Sequence, residues 1–377
     1  VRPRVVVAPD KFKGSCTARE AATAALAGLR EVWGDAVAYD IVPMADGGDG
    51  TVAAFLESGA EPQRAVVRDA LGAPVEATYA RLGATAILEM AAASGLAQLG
   101  GRRAPRSAST YGTGQLIAHA LSAGATHIVL GIGGSATTDG GAGALAALGL
   151  RFLDAGGAAL EPVPAALADL AAVDASGLDP RLATVRIEIA CDVENPLLGA
   201  DGAAAVYGPQ KGALPGDVAF LEAVLARFAG IAARATGRDL RALPGSGAAG
   251  GLGWGLATFA GARLARGFDL VAGVQGLAAR LAGAALCLTG EGRIDSQSLQ
   301  GKVVDGVARL ACAAGNVPVL AIGGDVDPAA ETALAARGVE CVRLVAPGAD
   351  PAAAMAAPAA FIRAAAASWA RRRPAPV

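Results

Sequence analysis

Cysteine is scarce and scattered. The 377 residues hold five, Cys16, Cys191, Cys287, Cys312 and Cys341, an odd number with no CxxC pair. That excludes a disulfide framework and a zinc site, and a reducing cytoplasmic setting is expected. The two histidines, His119 on a predicted helix and His127 opening a predicted strand, form no metal-binding pair. Charge is low at 18%, close to balanced at −2, and draws no basic stripe; Arg371 to Arg373 stand in a proline-containing tail. Nucleic acid is therefore not the expected partner. The longest window without Asp, Glu, Lys or Arg, Ser107 to Thr138, is rich in Ser, Thr and Gly and reads as helix, turn, strand and loop. A membrane span is excluded there. The opening VRPRVVVAPD meets Pro9 and Asp10 too soon for an export signal. There is no Walker A motif, because Gly301-Lys302 is followed by Val303, and no HRD, DFG or GxSxG string. P-loop, protein-kinase and nucleophile-elbow chemistry are excluded with them.

What the chain does have is alanine, glycine and length. It is 53% hydrophobic with 52 glycines, enough core for two domains of ordinary size. Val5 to Ala8 predicts a buried strand, and Thr17 with Glu20 predicts a capping box opening a helix to about Arg30. A strand over Val37 to Met44 and a helix over Thr51 to Glu57 follow, the grammar of a parallel sheet. From about Arg64 short strands separated by Leu71-Gly72-Ala73-Pro74 and Gly83 predict hairpins, and Asp154 to Asp179 reads as a connecting segment. Strand–helix alternation returns at Ala284 to Leu288 and ends in one helix over Ala352 to Ala370. The expected fold is α/β with two domains: 1–63 plus 284–377 sharing one sheet, and 64–283 as an inserted mixed α/β domain.

The loops after the strands carry the chemistry. Glu291, Arg293 and Asp295 crowd a predicted loop between glycines after the Ala284 strand, where parallel sheets bind ligands. Lys11 and Lys13 follow Asp10 before a helix N-terminus, a natural anion site. Asp46 and Asp49 among glycines suit a hard cation such as Mg²⁺ or a substrate hydroxyl. Gly131, Gly133, Gly134, Ser135, Thr137 and Asp139 belong to a long glycine loop. With Asp154 it outlines a dinucleotide fingerprint, but the loop runs on past the point where that motif starts its helix, which favours a cradle of backbone N–H groups for phosphate. Asp192 and Asn195 end another strand, and Lys211 stands on a proline turn. The glycines from Gly245 to Gly253 serve either ligand approach or a flexible connection. Residues alone thus indicate an α/β enzyme for an anionic or phosphorylated ligand. A nicotinamide oxidoreductase and a non-catalytic anion binder remain open.

Together the strings APDKFKGS, PMADGGDGT, EMAAASGL, GIGGSATTDGGAG, ACDVENPL, GPQKG, PGSGAAGGLG and TGEGRIDSQSLQGK closely resemble the bacterial glycerate kinase family, type I, from about Val5 to about Ala370. The resemblance implies a Rossmann- or flavodoxin-like sheet in one of two domains. It also implies ATP and Mg²⁺ as cofactors, and phosphorylation of D-glycerate at the 2-hydroxyl, with the 3-hydroxyl as the alternative. The small molecule is the expected partner, with no nucleic acid and no membrane, and the chain is expected as a monomer or homodimer. Asp192 is the expected general base. Glu291 and Asp295 are expected to hold Mg²⁺ beside Arg293, their strand end meeting that of Asp192. Asp10, Lys11, Lys13, Asp46, Asp49, Lys211 and Lys302 are expected to bind substrate or anion, and the glycine loop the nucleotide.

Overall fold

The computed structural model describes residues 2–346 and 350–376. Thirteen strands occur among them: β1 Arg4–Val7, β2 Ala38–Ile41, β3 Glu61–Arg68, β4 Pro74–Leu82, β5 Thr85–Glu89, β6 His127–Gly131, β7 Arg151–Leu153, β8 Ala172–Asp174, β9 Arg186–Ala190, β10 Arg263–Ala265, β11 Ala284–Ile294, β12 Val319–Val326 and β13 Val339–Arg343. The chain forms two compact units. One takes residues 1–46, 53–59 and 266–377; the other takes 47–52 and 60–265. The expected division returned to the first unit only at 284. Residues 266–283 belong to it already, because the helices Gly267–Gln275 and Leu277–Leu281 pack on the helix Val303–Ala313 and on β11.

The first unit is built on a five-stranded sheet in the order β13-β12-β11-β1-β2, parallel throughout. Val5, Val7, Leu286, Leu288, Leu320 and Ile322 are almost wholly buried in it, as β-branched and leucine runs covered on both faces should be. The capping box forms: the Thr17 side chain accepts from Glu20 N and Glu20 Oε2 from Thr17 N, opening the helix Ala18–Trp33. That helix lies against Pro358–Arg371 so closely at Gly28 that a Cβ there would stand 2.2 Å from the Arg363 carbonyl oxygen. Trp33 and Trp369 meet edge to face at 5.9 Å. The expected single C-terminal helix is two, Ala352–Ala356 and Pro358–Arg371, since Pro358 has no N–H to continue the first.

The second unit carries a six-stranded sheet in the order β10-β9-β6-β5-β4-β3. β3, β4 and β5 are antiparallel, the expected hairpins, and β5, β6, β9 and β10 run parallel. The β3–β4 turn is tied by Asp69, whose Oδ1 accepts from Leu71 N and Ala73 N. Leu88, Ile128, Leu130, Ile187 and Ile189 of the sheet pack with Leu116, Leu145, Phe228 and Trp254 of its helices. The segment after Asp154 is more than a connection: β8 pairs with β7, and the short helix Pro164–Leu167 lies between them in the chain. No helix among the described residues is long and apolar enough to cross a membrane.

Candidate functional site

In the first unit the strand order reverses at one place. From β1 the chain moves to β2 on one side; from β11 it moves through β12 to β13 on the other. A crevice opens beyond the C-terminal ends at such a reversal, and ligands of open parallel sheets bind there. Asp10 follows β1 and donates its N–H to the Gly290 carbonyl of β11 at 2.8 Å. Glu291, expected in a loop, lies within β11, which continues to Ile294 in register with β12, pairing Glu291 with Gly323 and Arg293 with Asp325. Gly290 permits this close pairing, since a Cβ on it would meet the Ile322 carbonyl at 2.3 Å.

Asp10 and Glu291 are each 8% exposed. Burial pushes the Asp10 carboxyl up to about 7, with the Asp46 charge adding to it; the Lys11 N–H, donating to Oδ1 at 2.7 Å, and the Lys11 charge pull the other way. Burial likewise carries Glu291 to about 7, against a Ser298 hydrogen bond and the Lys302 charge, while Asp295 and Asp46 raise it further. Asp10 thus feels the charges of Asp46, Lys11 and Glu291, and Glu291 those of Lys302, Asp295 and Asp46. Glu291 Oε1 is buried and has no hydrogen-bond partner among the described residues. Arg293 stands apart, its side chain 68% exposed, at 3.7 Å from Asp295 and 3.8 Å from Asp325. Lys13 is exposed and Lys11 half-buried. The helix after them begins only at Ala18, and its capping box already occupies its N-terminus, so these lysines offer charge and not a shared helix end.

In the second unit the parallel strands end in one register row, Glu89 opposite Gly131, Gly131 opposite Ala190, and Ala190 opposite Ala265. Three motifs meet there. Gly47 passes so close that a Cβ on Gly131 would lie 2.7 Å from its carbonyl oxygen. The Asp49 carboxylate reaches Gly133 and Gly134, both exposed, and Gly134 takes the left-handed φ of +69°. The segment after β5 closes over the loop, with Leu96 N donating to the Gly134 carbonyl and Ala136 N to the Ser94 carbonyl. Glu89 Oε1 accepts from Val52 N at 2.8 Å. Beside Gly134 opens a cavity of about 550 Å³ lined by Asp49, Glu89, Ala91, Ala92, Leu96, Ala97 and Arg103.

The rest of the glycine loop turns inward. Asp139 is fully buried and accepts from Thr110 N and Oγ1, Gly141 N and Gly143 N; burial raises its carboxyl while these donors oppose that. Thr137 is fully buried as well, and Ser135 is half-buried. Lys211, expected at an anion, is 2% exposed, and its Nζ donates to the Thr137 carbonyl at 2.6 Å. Burial lowers that ammonium to about 7, with the Asp139 charge opposing. The glycines from Gly245 onward are no flexible connector. Gly250 accepts from Gly140 N, and a Cβ on it would stand 2.1 Å from the Thr137 carbonyl oxygen. Asp192 is exposed on the turn after β9, and Asn195 beside it is engaged with Tyr207 and the Asp201 carbonyl. Asp154 caps its own turn through Gly156 N and Ala158 N.

The sequence thus marks Asp10, Asp46, Glu291, Asp295 and Lys302, which the first unit gathers, and Asp49, Gly131, Gly133 and Gly134, which the second gathers. It gave no sign of Arg103 or of a cavity role for Glu89; the one hint was that Glu89 ends a strand opening a recognisable motif. Among the described residues no group of three or more His, Cys, Asp or Glu is arranged to enclose a metal.

Known proteins resemble this chain along nearly its whole length. The model of the Glycerate kinase family matches residues 5–373. A glycerate kinase of Bacillus subtilis (strain 168) is 45% identical over 92% of this chain and 91% of its own. The glycerate 2-kinase of Escherichia coli (strain K12) is 45% identical over 86% of this chain and 85% of its own. The crystal structure of a Salmonella typhimurium LT2 protein assigned as glycerate kinase 2 superposes with a TM-score of 0.86 at 42% identity, covering 99% of this chain and 98% of the other.

Proposed function

The chain belongs to the glycerate kinase family, and from that premise we propose that it transfers the terminal phosphate of ATP to the 2-hydroxyl of D-glycerate. The observation that carries the proposal is the pair of buried carboxyls, Asp10 and Glu291, flanking the reversal of the parallel sheet. Phosphoryl transfer asks the protein mainly for positioning and charge, plus one group to take the hydroxyl proton. A base works best with a pKa near the working pH. Asp10, raised to about 7, meets that demand. Asp192 is exposed on its turn, so Asp10 replaces it as the base in this reading.

Glu291 and Asp295 are the residues that would hold Mg²⁺. The orphaned, buried Oε1 of Glu291 fits a cation ligand, and a two-carboxylate site suits an ion that keeps waters and substrate phosphates as its remaining ligands. When bound, Mg²⁺ neutralises phosphate charge. Lys11, Lys13 and Lys302 supply cations for the glycerate carboxylate or the transferred group, and burial, with the Asp46 charge adding to it, holds the Asp10 carboxyl high. The N–H groups of Gly133 and Gly134, both exposed residues, suit nucleotide phosphates. Lys211 and Asp139 support that loop from beneath.

The test is the reaction itself. Purified protein with Mg²⁺, ATP and D-glycerate should form ADP only when glycerate is present, and the phosphorus of the product should couple to one methine proton. Coupling to two methylene protons would assign the 3-hydroxyl instead, and intact ATP would refute the proposal outright.

A further inference from the structure

A cavity of about 630 Å³ lies wholly within the first unit, and none of the residues assigned above to the reaction lines it. It is bordered by the helices Ala18–Trp33 and Pro358–Arg371 and by the end of Thr51–Glu57. Its size is that of a small-molecule pocket. The floor is alanine, Ala24 and Ala27 from the first helix and Ala359 and Ala360 from the last. Ala21, Ala22, Ala25 and Leu29 take the core-facing side of the first helix. Arg19, Thr23 and Ala27, four residues apart, follow its outer side. Small residues alone define no ligand; the charges around them do. Most of those charges are already engaged. Thr17 and Glu20 cap the helix, and Arg363 Nη2 stands 3.1 Å from Glu31. Arg19 and Glu57 are left. Arg19 is exposed, and among the described residues its side chain has neither an ion pair nor a hydrogen bond. Glu57 is half-buried, and its Oε2 is closed off from solvent with no hydrogen-bond partner among the described residues. A buried carboxylate oxygen without a donor is destabilising, and a ligand N–H placed there removes the penalty.

One unpaired cation and one unpaired anion on a single cavity match a ligand that carries both charges. From this complementarity we infer that the cavity binds a free α-amino acid with an apolar side chain. Its ammonium donates to Glu57, its carboxylate takes Arg19, and its side chain lies on the alanine floor. A guanidinium holds a carboxylate through two parallel N–H bonds, which suits Arg19 to that end of the ligand. A hydroxy acid such as glycerate offers no ammonium to Glu57, so this cavity does not duplicate the substrate site. The inference uses no residue of the catalytic reading and stands or falls apart from it.

The test is titration calorimetry on the full chain, without ATP or glycerate, using L-leucine and L-phenylalanine as probes to millimolar concentration. At least one should bind saturably, with one site per chain. The same side chains without the ammonium, as 4-methylpentanoate and 3-phenylpropanoate, should bind about tenfold or more weakly, the loss expected for one charge-assisted hydrogen bond. So should those without the carboxylate, 3-methylbutylamine and 2-phenylethylamine. Glu57→Gln keeps the shape and removes the charge. It should weaken the amino acid about tenfold or more and leave the ammonium-free acids as they were. Arg19→Met should weaken the amino acid by a similar factor and spare the amines. No saturable binding of either amino acid overturns the inference, as does equal binding of the ammonium-free acids. Wild-type affinity in a folded Glu57→Gln protein overturns it too. If that variant does not fold, Arg19→Met, on its exposed helical position, decides in its place, and wild-type affinity there is equally fatal.

Discussion

Replacing Asp10 by Asn should stabilise the ligand-free protein at neutral pH while destroying its activity. Holding a carboxyl at about 7 in place of its ordinary 3.8 corresponds to about 4 kcal/mol, at about 1.4 kcal/mol per tenfold change in proton affinity. The charges of Asp46 and Glu291 share in that figure, and relaxation around Asp10 reduces it, so a measured gain of about 1–2 kcal/mol is expected. The sign follows from linkage. The folded state binds the Asp10 proton more tightly than the unfolded chain, so this contribution to stability is fully present below pH 3.8 and is lost as the pH rises through about 7. Asn imitates the protonated form and loses nothing. The advantage of Asp10→Asn should therefore be small near pH 4, grow between pH 4 and 7, and level off above. For a unit of this size, 1–2 kcal/mol moves Tm by about 2–8 °C. The assay is thermal and urea unfolding with chelator present and nucleotide absent, at pH 4.5, 6 and 7.5. Trp33 and Trp369, both in the core of the first unit, report on its unfolding by fluorescence. The rate of glycerate phosphorylation should fall about 10²–10⁴-fold, the usual cost of a missing base. A pH-independent change in stability, or destabilisation at pH 7.5, would mean that Asp10 is comfortably ionised, and the account of the carboxyl cluster would be wrong.

The remaining expectations concern neighbouring features. Glu291→Gln should abolish most of the rise in Tm that Mg²⁺ gives with ATP bound; an undiminished Mg²⁺ effect would remove Glu291 from the metal site. Gly134→Val forces a branched side chain into a left-handed backbone with Asp49 Oδ1 and Ala91 Cβ each 3.3 Å from its Cβ. It should raise the ATP KM at least tenfold with a Tm loss of only a few degrees, and a fold that collapses with no selective ATP effect would argue against the cradle. Gly28→Ala places a methyl 2.2 Å from the Arg363 carbonyl oxygen and should cost about 1–3 kcal/mol in urea unfolding; a neutral change would show that the two helices move apart freely.

Much of the first unit can be read from sequence because its signals are local. Val5 to Ala8 is a buried β-branched run, and Thr17 and Glu20 satisfy each other three residues apart. The C-terminal break was just as local, since Pro358 lies inside the expected helix and cannot donate. The misplacement of Glu291 and Arg293 has a different source. Glycines around charges read as a loop, but Gly290 serves close pairing with β12, some thirty residues on, and Gly292 lies against Phe12 and Lys13, some 280 residues earlier. Asp139 and Lys211 illustrate a further limit. A carboxylate in a glycine loop and a lysine on a turn look like ligand groups until Thr110 and the Thr137 carbonyl, far away in the chain, are seen to occupy them. Arg103 had no pattern to mark it, because the cavity it lines is assembled from separate stretches of the chain.

The place of β1 in its sheet bears on how the chain is made. Val5 of β1 pairs with Leu286 of β11, about 280 residues later. Residues 60–265 of the second unit have all emerged before that partner is synthesised. At roughly 5–20 residues per second, β1 and β2 wait on the order of 15–60 s as a two-stranded fragment. During that interval the apolar edge that will receive β11 stands open, and long-range parallel pairing is intrinsically slow to close. The β1–β2 segment is thus open to mispairing for as long as the intervening chain takes to be made.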